Sequence, residues 1–244
     1  MRLSRSHTAT LYSLSFLVSV ISGLLIPMVP VHAFRLGASP LELGLIGGVG
    51  PAIYSSATLA SGKLSGRLGR RKLVVISVAI YSAVCFLYSF ASSPLHVLLV
   101  RLLEGISMGM LWPPLEALIS DATPPERKRR AVSLFGLSWS SGCALGSLLS
   151  GPALMFALLE TFRLAGAVSM LLALASWLLI SEVHTLPLEN LKLEGIHEAA
   201  RREYLAWLAA WFYAFSQGIV FSLFPPYAEM IGPVSYTHLT LPTN

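Results

Sequence analysis

The sequence predicts an all-α integral membrane protein: a six-helix N-terminal bundle, a seventh transmembrane helix, and a second bundle that is truncated. Three observations lead there. First, the 244 residues are 55% hydrophobic and only 12% charged, with a mean hydropathy of +0.69. A soluble domain carries about 25% charged residues, so this chain cannot coat a globule in water. Second, residues 6–34, 73–100, 131–159, 164–181 and 204–228 contain no Asp, Glu, Lys or Arg, and a bilayer-spanning helix needs roughly 20 apolar residues. Third, the 17 Lys and Arg residues are unevenly placed. Arg2, Arg5, Lys63, Arg67, Arg70, Arg71, Lys72, Arg127, Lys128, Arg129, Arg130, Lys192, Arg201 and Arg202 fall at one set of span ends. Only Arg35 and Arg163 fall at the other, and Arg101 lies within a span. This is the positive-inside pattern. It predicts a multi-pass membrane protein with a cytoplasmic N-terminus, and the short loops point to the cell (plasma) membrane.

The first span covers 9–33. Arg2 and Arg5 before it imitate the start of a signal peptide. The apolar run is too long for one, contains Pro27 and Pro30, and leads to no small-x-small cleavage site, so an uncleaved span is expected. The second span, 41–61, runs into GKLSGRLGRRK, Gly62–Lys72. Such basic runs also mark nucleic-acid patches. Between two apolar spans on the cation-rich side, a tight turn is expected instead, its glycines supplying positive φ. No nucleic-acid partner is expected.

Spans at 73–91, 96–120, 131–151 and 163–181 follow. The fourth holds Pro113 and Pro114, which are expected to disturb it. Cys85 and Cys143 fall inside spans and read as small packing residues. The six histidines show no metal-ligand spacing, with His32 and His96 expected at the interface. No metal and no cofactor is expected. The bundle thus occupies residues 1–181. Residues 182–203 include LENLKLEGIHEAARREY and read as a cytoplasmic amphipathic linker. Residues 204–232 hold the seventh span, at 204–226, which opens a second bundle.

The first and seventh spans are related. At an offset of 195 residues, Gly23, Pro30, Ala33 and Gly37 fall on Gly218, Pro225, Ala228 and Gly232. A repeat after six spans is what duplicated transporter halves produce.

With these features in place, residues from about 9 to 232 resemble the major facilitator superfamily of secondary transporters. The family's loop signature, Gly-x-Leu-Ala-Asp-Arg-x-Gly-Arg-Arg/Lys, is similar to Gly62, Leu64, Ser65, Gly66, Arg67, Gly69, Arg70 and Arg71. Gly66 stands where the family has aspartate. The resemblance implies a loop that latches the two halves in one conformation. With the aspartate missing, Asp121 is the candidate partner for Arg70. Arg101, Gly105 and Gly109 are similar to the family's Arg-x-x-x-Gly-x-x-x-Gly pattern, which places Arg101 in the cavity. Gly142, Gly146 and Gly151 resemble the antiporter signature, with Ser147 for its proline and Ser150 for one glycine.

An ionisable side chain inside a span marks a functional site by default. Arg101 and Glu104 are three apart and share a helix face. They read as a substrate or proton pathway, or alternatively as a self-neutralising pair fixing the helix against a neighbour. Glu116 could face the cavity or cap the gate. Trp112, Trp139, Tyr54, Tyr213 and Gln217 could line a pocket for an amphipathic organic substrate, or simply pack. Gly105, Gly109, Gly142 and Gly146 read as small-xxx-small packing surfaces, and Gly151 joins them.

Residues 233–244, PVSYTHLTLPTN, resemble neither a loop nor an eighth helix. They look like translated library-adaptor sequence, and the chain is expected to continue natively with five more helices. The function expected is secondary-active transport of a small organic solute or drug-like compound by alternating access, with proton coupling left open. The alternative is a non-transporting membrane protein of the same fold, a sensor or assembly factor, which the Gly66 departure favours. No enzyme is expected, because no metal cluster and no nucleophile–base pair stands out. The partners expected are a small-molecule substrate, protons if coupled, and the bilayer, with a monomeric full-length form.

Overall fold

The computed structural model describes residues 5–181, Tyr204, Leu205, Leu208, Phe212 and residues 223–230. Six helices follow one another: α1 (Arg5–Arg35), α2 (Pro40–Leu68), α3 (Arg70–Phe90), α4 (Pro94–Asp121), α5 (Lys128–Phe156) and α6 (Leu158–Leu179). All six are long and apolar enough to cross a membrane. Among the described residues there is no strand. Residues 223–230 form a short helical piece that overlaps the end of the predicted seventh span and runs past it. The rest of that span apart from isolated positions, the linker and the tail lie outside the described residues.

Local chemistry sets the boundaries. The α1–α2 turn contains Gly37 at φ 88°, a conformation that glycine adopts without Cβ strain. Ser39 then caps α2: its hydroxyl accepts from the Glu42 amide at 3.3 Å, and Glu42 Oε2 accepts from the Ser39 amide at 2.8 Å. Pro40 follows at the first helical position, where no amide donor is missed. Ser93 and Pro94 start α4 in the same way, with the Ser93 hydroxyl accepting from the His96 amide at 3.3 Å.

The basic run departs from the expected turn. Helix α2 continues through Gly62 and Gly66 to Leu68, and Gly69 alone separates it from α3. Only Gly69, at φ 87°, needs glycine's freedom there. Continuing the helix satisfies backbone groups internally near the apolar layer. It also carries exposed Lys63 and Arg67 out along a regular helix. Helix α4 runs on through Pro113 and Pro114, which lack the amide donors for the preceding turn. Neighbouring helices can meet the freed backbone groups at membrane depth.

Apart from α3 and α4, the main partners in space are not neighbours in sequence. Helix α1 packs mainly on α5, α2 on α4, and α3 on both α6 and α4. Lipid supplies no hydrophobic drive between helices, so close backbone approach and interhelical hydrogen bonds must hold them. At the α1–α5 crossing a Cβ on Gly142 would sit 2.5 Å from the Phe16 carbonyl oxygen. The Val20 and Cys143 carbonyls leave no room for a Cβ on Gly146 and Gly23 respectively. Polar links complete the bundle: the Ser107 hydroxyl donates to the Ser77 carbonyl, and the Ser82 hydroxyl to the Gly166 carbonyl, each at 2.8 Å.

Candidate functional site

Arg101 lies seven residues into α4 from Pro94, about 10 Å along the helix at 1.5 Å per residue. Glu104 lies one turn deeper, about halfway through a 30 Å apolar layer. Arg101 Nη1 donates to Glu104 Oε2 at 2.7 Å. The same oxygen accepts from the Tyr88 hydroxyl of α3 at 2.5 Å. Tyr88 is fully buried and Glu104 is 8% exposed. One carboxylate oxygen therefore gathers two donors from two helices.

Arg101 Nε is buried without a hydrogen-bond partner among the described residues. It lies against Gly50 of α2, where an added Cβ would come within 2.7 Å. Below it, the same face of α4 carries Gly105 and Gly109. A Cβ on Gly105 would sit 2.7 Å from the Gly50 carbonyl oxygen, and one on Gly109 2.5 Å from that of Tyr54. The α2–α4 seam is thus backbone against backbone for two turns, with a guanidinium at its top.

A second polar layer borders this one. The Ser22 hydroxyl of α1 and the Tyr81 hydroxyl of α3 lie 3.2 Å apart, with Met108 Sδ of α4 at 3.9 Å from Ser22. His32 lies in the last turn of α1 and is 4% exposed. Its ring packs 5.5 Å from Phe162, whose ring is 5.4 Å from Tyr88. His32, Phe162 and Tyr88 thus form a run of ring contacts beside the site. His96 is exposed, with Nδ1 3.1 Å from the Ser92 hydroxyl.

The other expected residues are scattered. Glu116 is exposed on α4 and pairs with no cation among the described residues. Trp112 packs edge-on against Phe135 of α5, with centroids 6.1 Å apart. Gly151 and Gly62 face open space among the described residues, so neither makes the close approach seen at Gly142 and Gly146. Gln217 and Tyr213 lie outside the described residues.

At the basic end, Arg70 pairs with Asp121, joining the start of α3 to the end of α4. Arg71 donates to the Trp177 carbonyl of α6 and lies 5.1 Å from that indole ring's centroid. Arg67 is exposed. At the opposite end, Arg35 Nη1 donates to the Leu154 carbonyl at 3.1 Å, and its Nε to Glu229 at 2.6 Å. Arg35 so joins α1 to α5 and to the 223–230 piece.

Sequence reasoning did not single out Tyr88, Gly50, or the Arg35–Glu229 pair. A tyrosine in a charge-free span and the GGVG run before Pro51 were the available signals for the first two.

Comparison with known proteins adds the wider context. The Major Facilitator Superfamily model matches residues 11–240. The quinolone resistance protein NorA of Staphylococcus aureus is 27% identical over 172 residues, covering 70% of this chain and 44% of the relative. An uncharacterised MFS-type transporter of Methanocaldococcus jannaschii is 26% identical over 162 residues, 66% of this chain and 42% of the relative. The chain thus spans under half the length of these relatives. Among solved structures, a bacterial homologue of the human lysosomal transporter Spinster, inward-facing and unoccupied, superposes with a TM-score of 0.63 at 21% identity. It covers 83% of this chain and 50% of that one. The human organic anion transporter MFSD10 gives 0.58 at 20% identity, covering 73% and 48%.

Proposed function

Because the chain belongs to the Major Facilitator Superfamily, we propose that it forms the N-terminal half of a secondary-active exporter. It would move a small organic, drug-like compound by alternating access, with its N-terminus in the cytoplasm. The observation that carries this reading is the Arg101–Glu104 pair, buried at membrane depth and tied to Tyr88. Charge at that depth is costly and is retained where it handles a substrate or ion. The named activity of the NorA relative, quinolone resistance, suggests the substrate class to try first.

Two ion pairs then serve as latches in this reading. Arg70–Asp121 braces the basic end, and it uses Asp121 where Gly66 has replaced the loop aspartate. Arg35–Glu229 ties α1 to the first piece of the second bundle at the opposite end. Rocking would require the second pair to open.

The test uses the intact gene product in proteoliposomes. A fluorescent quinolone and an internal pH dye are followed together under an imposed proton gradient. Transport of the quinolone that Arg101→Ala abolishes at unchanged protein yield supports the reading. Wild-type transport by that variant removes Arg101 from the mechanism. Dye movement coupled to quinolone flux decides whether protons are the coupling ion.

A further inference from the structure

We propose that Gly50 is a positioning residue: its missing side chain is the seat of the Arg101 guanidinium, and this seat aims the guanidinium at Glu104. The inference rests on the transport reading only in that it makes Arg101's placement matter for flux.

The glycines of this bundle that have close neighbours fall into two kinds, the rest facing open space among the described residues. At Gly23, Gly105, Gly109, Gly142 and Gly146, the nearest atom to an added Cβ is a backbone carbonyl oxygen of the facing helix. Those glycines let two helices touch. At Gly50 the three nearest atoms all belong to one side chain, Arg101 Nε at 2.7 Å, Cζ at 3.2 Å and Cδ at 3.3 Å. At Gly166 a side chain also takes the space, the Phe86 ring, and there the filler is apolar.

The seam explains why a glycine is needed. Positions 101, 105 and 109 lie on one stripe of α4, four residues apart. The lower two are glycines pressed against α2, so α2 cannot stand back where Arg101 emerges. The arginine fits only because α2 offers no side chain there. The guanidinium is then held on two sides, by Gly50 on α2 and by Glu104 on its own helix. Glu104 is in turn held by Tyr88. Three helices thereby fix the direction of one cation.

Alanine at Gly50 meets the movable end of a side chain rather than a backbone. Gly50→Ala therefore folds and displaces the guanidinium. Gly48, two residues earlier, faces open space among the described residues and serves as the control.

The experiment compares wild type, Gly50→Ala and Gly48→Ala in the intact protein in proteoliposomes. Phenylglyoxal modification of Arg101 is timed by peptide mass spectrometry, and uptake of the fluorescent quinolone is measured alongside. Gly50→Ala should speed Arg101 modification several-fold, with protein yield unchanged. Vmax/KM should fall about ten- to a hundredfold, as expected when a reacting group is misplaced. Gly48→Ala should modify at the wild-type rate. Modification of Gly50→Ala at the wild-type rate overturns the seat. Faster modification with undiminished transport overturns its positioning role. If the wild type moves no quinolone but Gly50→Ala still modifies faster, the seat stands and the transport reading falls.

Discussion

Replacing Arg101 and Glu104 by methionine, singly and together, tests the energetics of the buried pair. Their side chains are 18% and 11% exposed, and Nη1–Oε2 is 2.7 Å. Breaking a buried pair by removing one partner costs about 3–5 kcal/mol, because the other charge stays buried and unpaired. The residual exposure places each single variant near the lower bound, about 3 kcal/mol. Replacing both removes both charges, and the Tyr88 hydroxyl then loses its acceptor. That unsatisfied donor costs about 1–3 kcal/mol. The double variant should therefore be at least as stable as either single one, with a coupling energy of roughly 3–5 kcal/mol. Reversible unfolding in mixed micelles, followed by tryptophan fluorescence on all four proteins, measures the cycle. Additivity to within about 0.5 kcal/mol would refute the reasoning, since it would mean the two side chains do not act on each other.

Three other outcomes follow from the geometry. Gly69→Ala should destabilise by about 1–3 kcal/mol, because φ 87° is strained for any side chain, whereas Gly66→Ala inside α2 should stabilise by about 0.5–1 kcal/mol; chemical unfolding of both variants separates turn from helix. Gly146→Leu should cost about 1–3 kcal/mol or prevent assembly, since the Val20 carbonyl fills the space beside it, while Gly136→Ala, in open space, should stay within about 0.5 kcal/mol; thermal melts in detergent compare them. Arg35→Glu should change stability by no more than about 1 kcal/mol, the pair being exposed, yet alter quinolone flux, and the charge exchange with Glu229→Arg should restore it.

The sequence showed six spans and their approximate ends because each is an apolar run bounded by charge, a one-dimensional pattern. It also pointed to Arg101 and Glu104, because charge within such a run stands out without knowledge of packing. The length of α2 was misread. Three glycines in a basic run look like a turn, and only the backbone angles show that Gly69 alone bends. Tyr88 and Gly50 were invisible for another reason. Their roles come from α3 and α2 meeting α4, and nothing in a single helix's periodicity says which neighbour it will meet. The cover over His32 was invisible on the same ground: it comes from Phe162 of α6.

The order of pairing has a consequence for synthesis. Tyr12 of α1 hydrogen-bonds the Ala131 carbonyl of α5 across 119 residues. At about 5–20 residues per second, a ribosome needs roughly 6–24 s to make that stretch. Throughout that interval α1 sits in the bilayer without the helix that closes over Gly23. Its two prolines and its row of serines stay open to whatever insertase or chaperone is at hand. Birth of this bundle is therefore a wait, ended only when the fifth helix emerges.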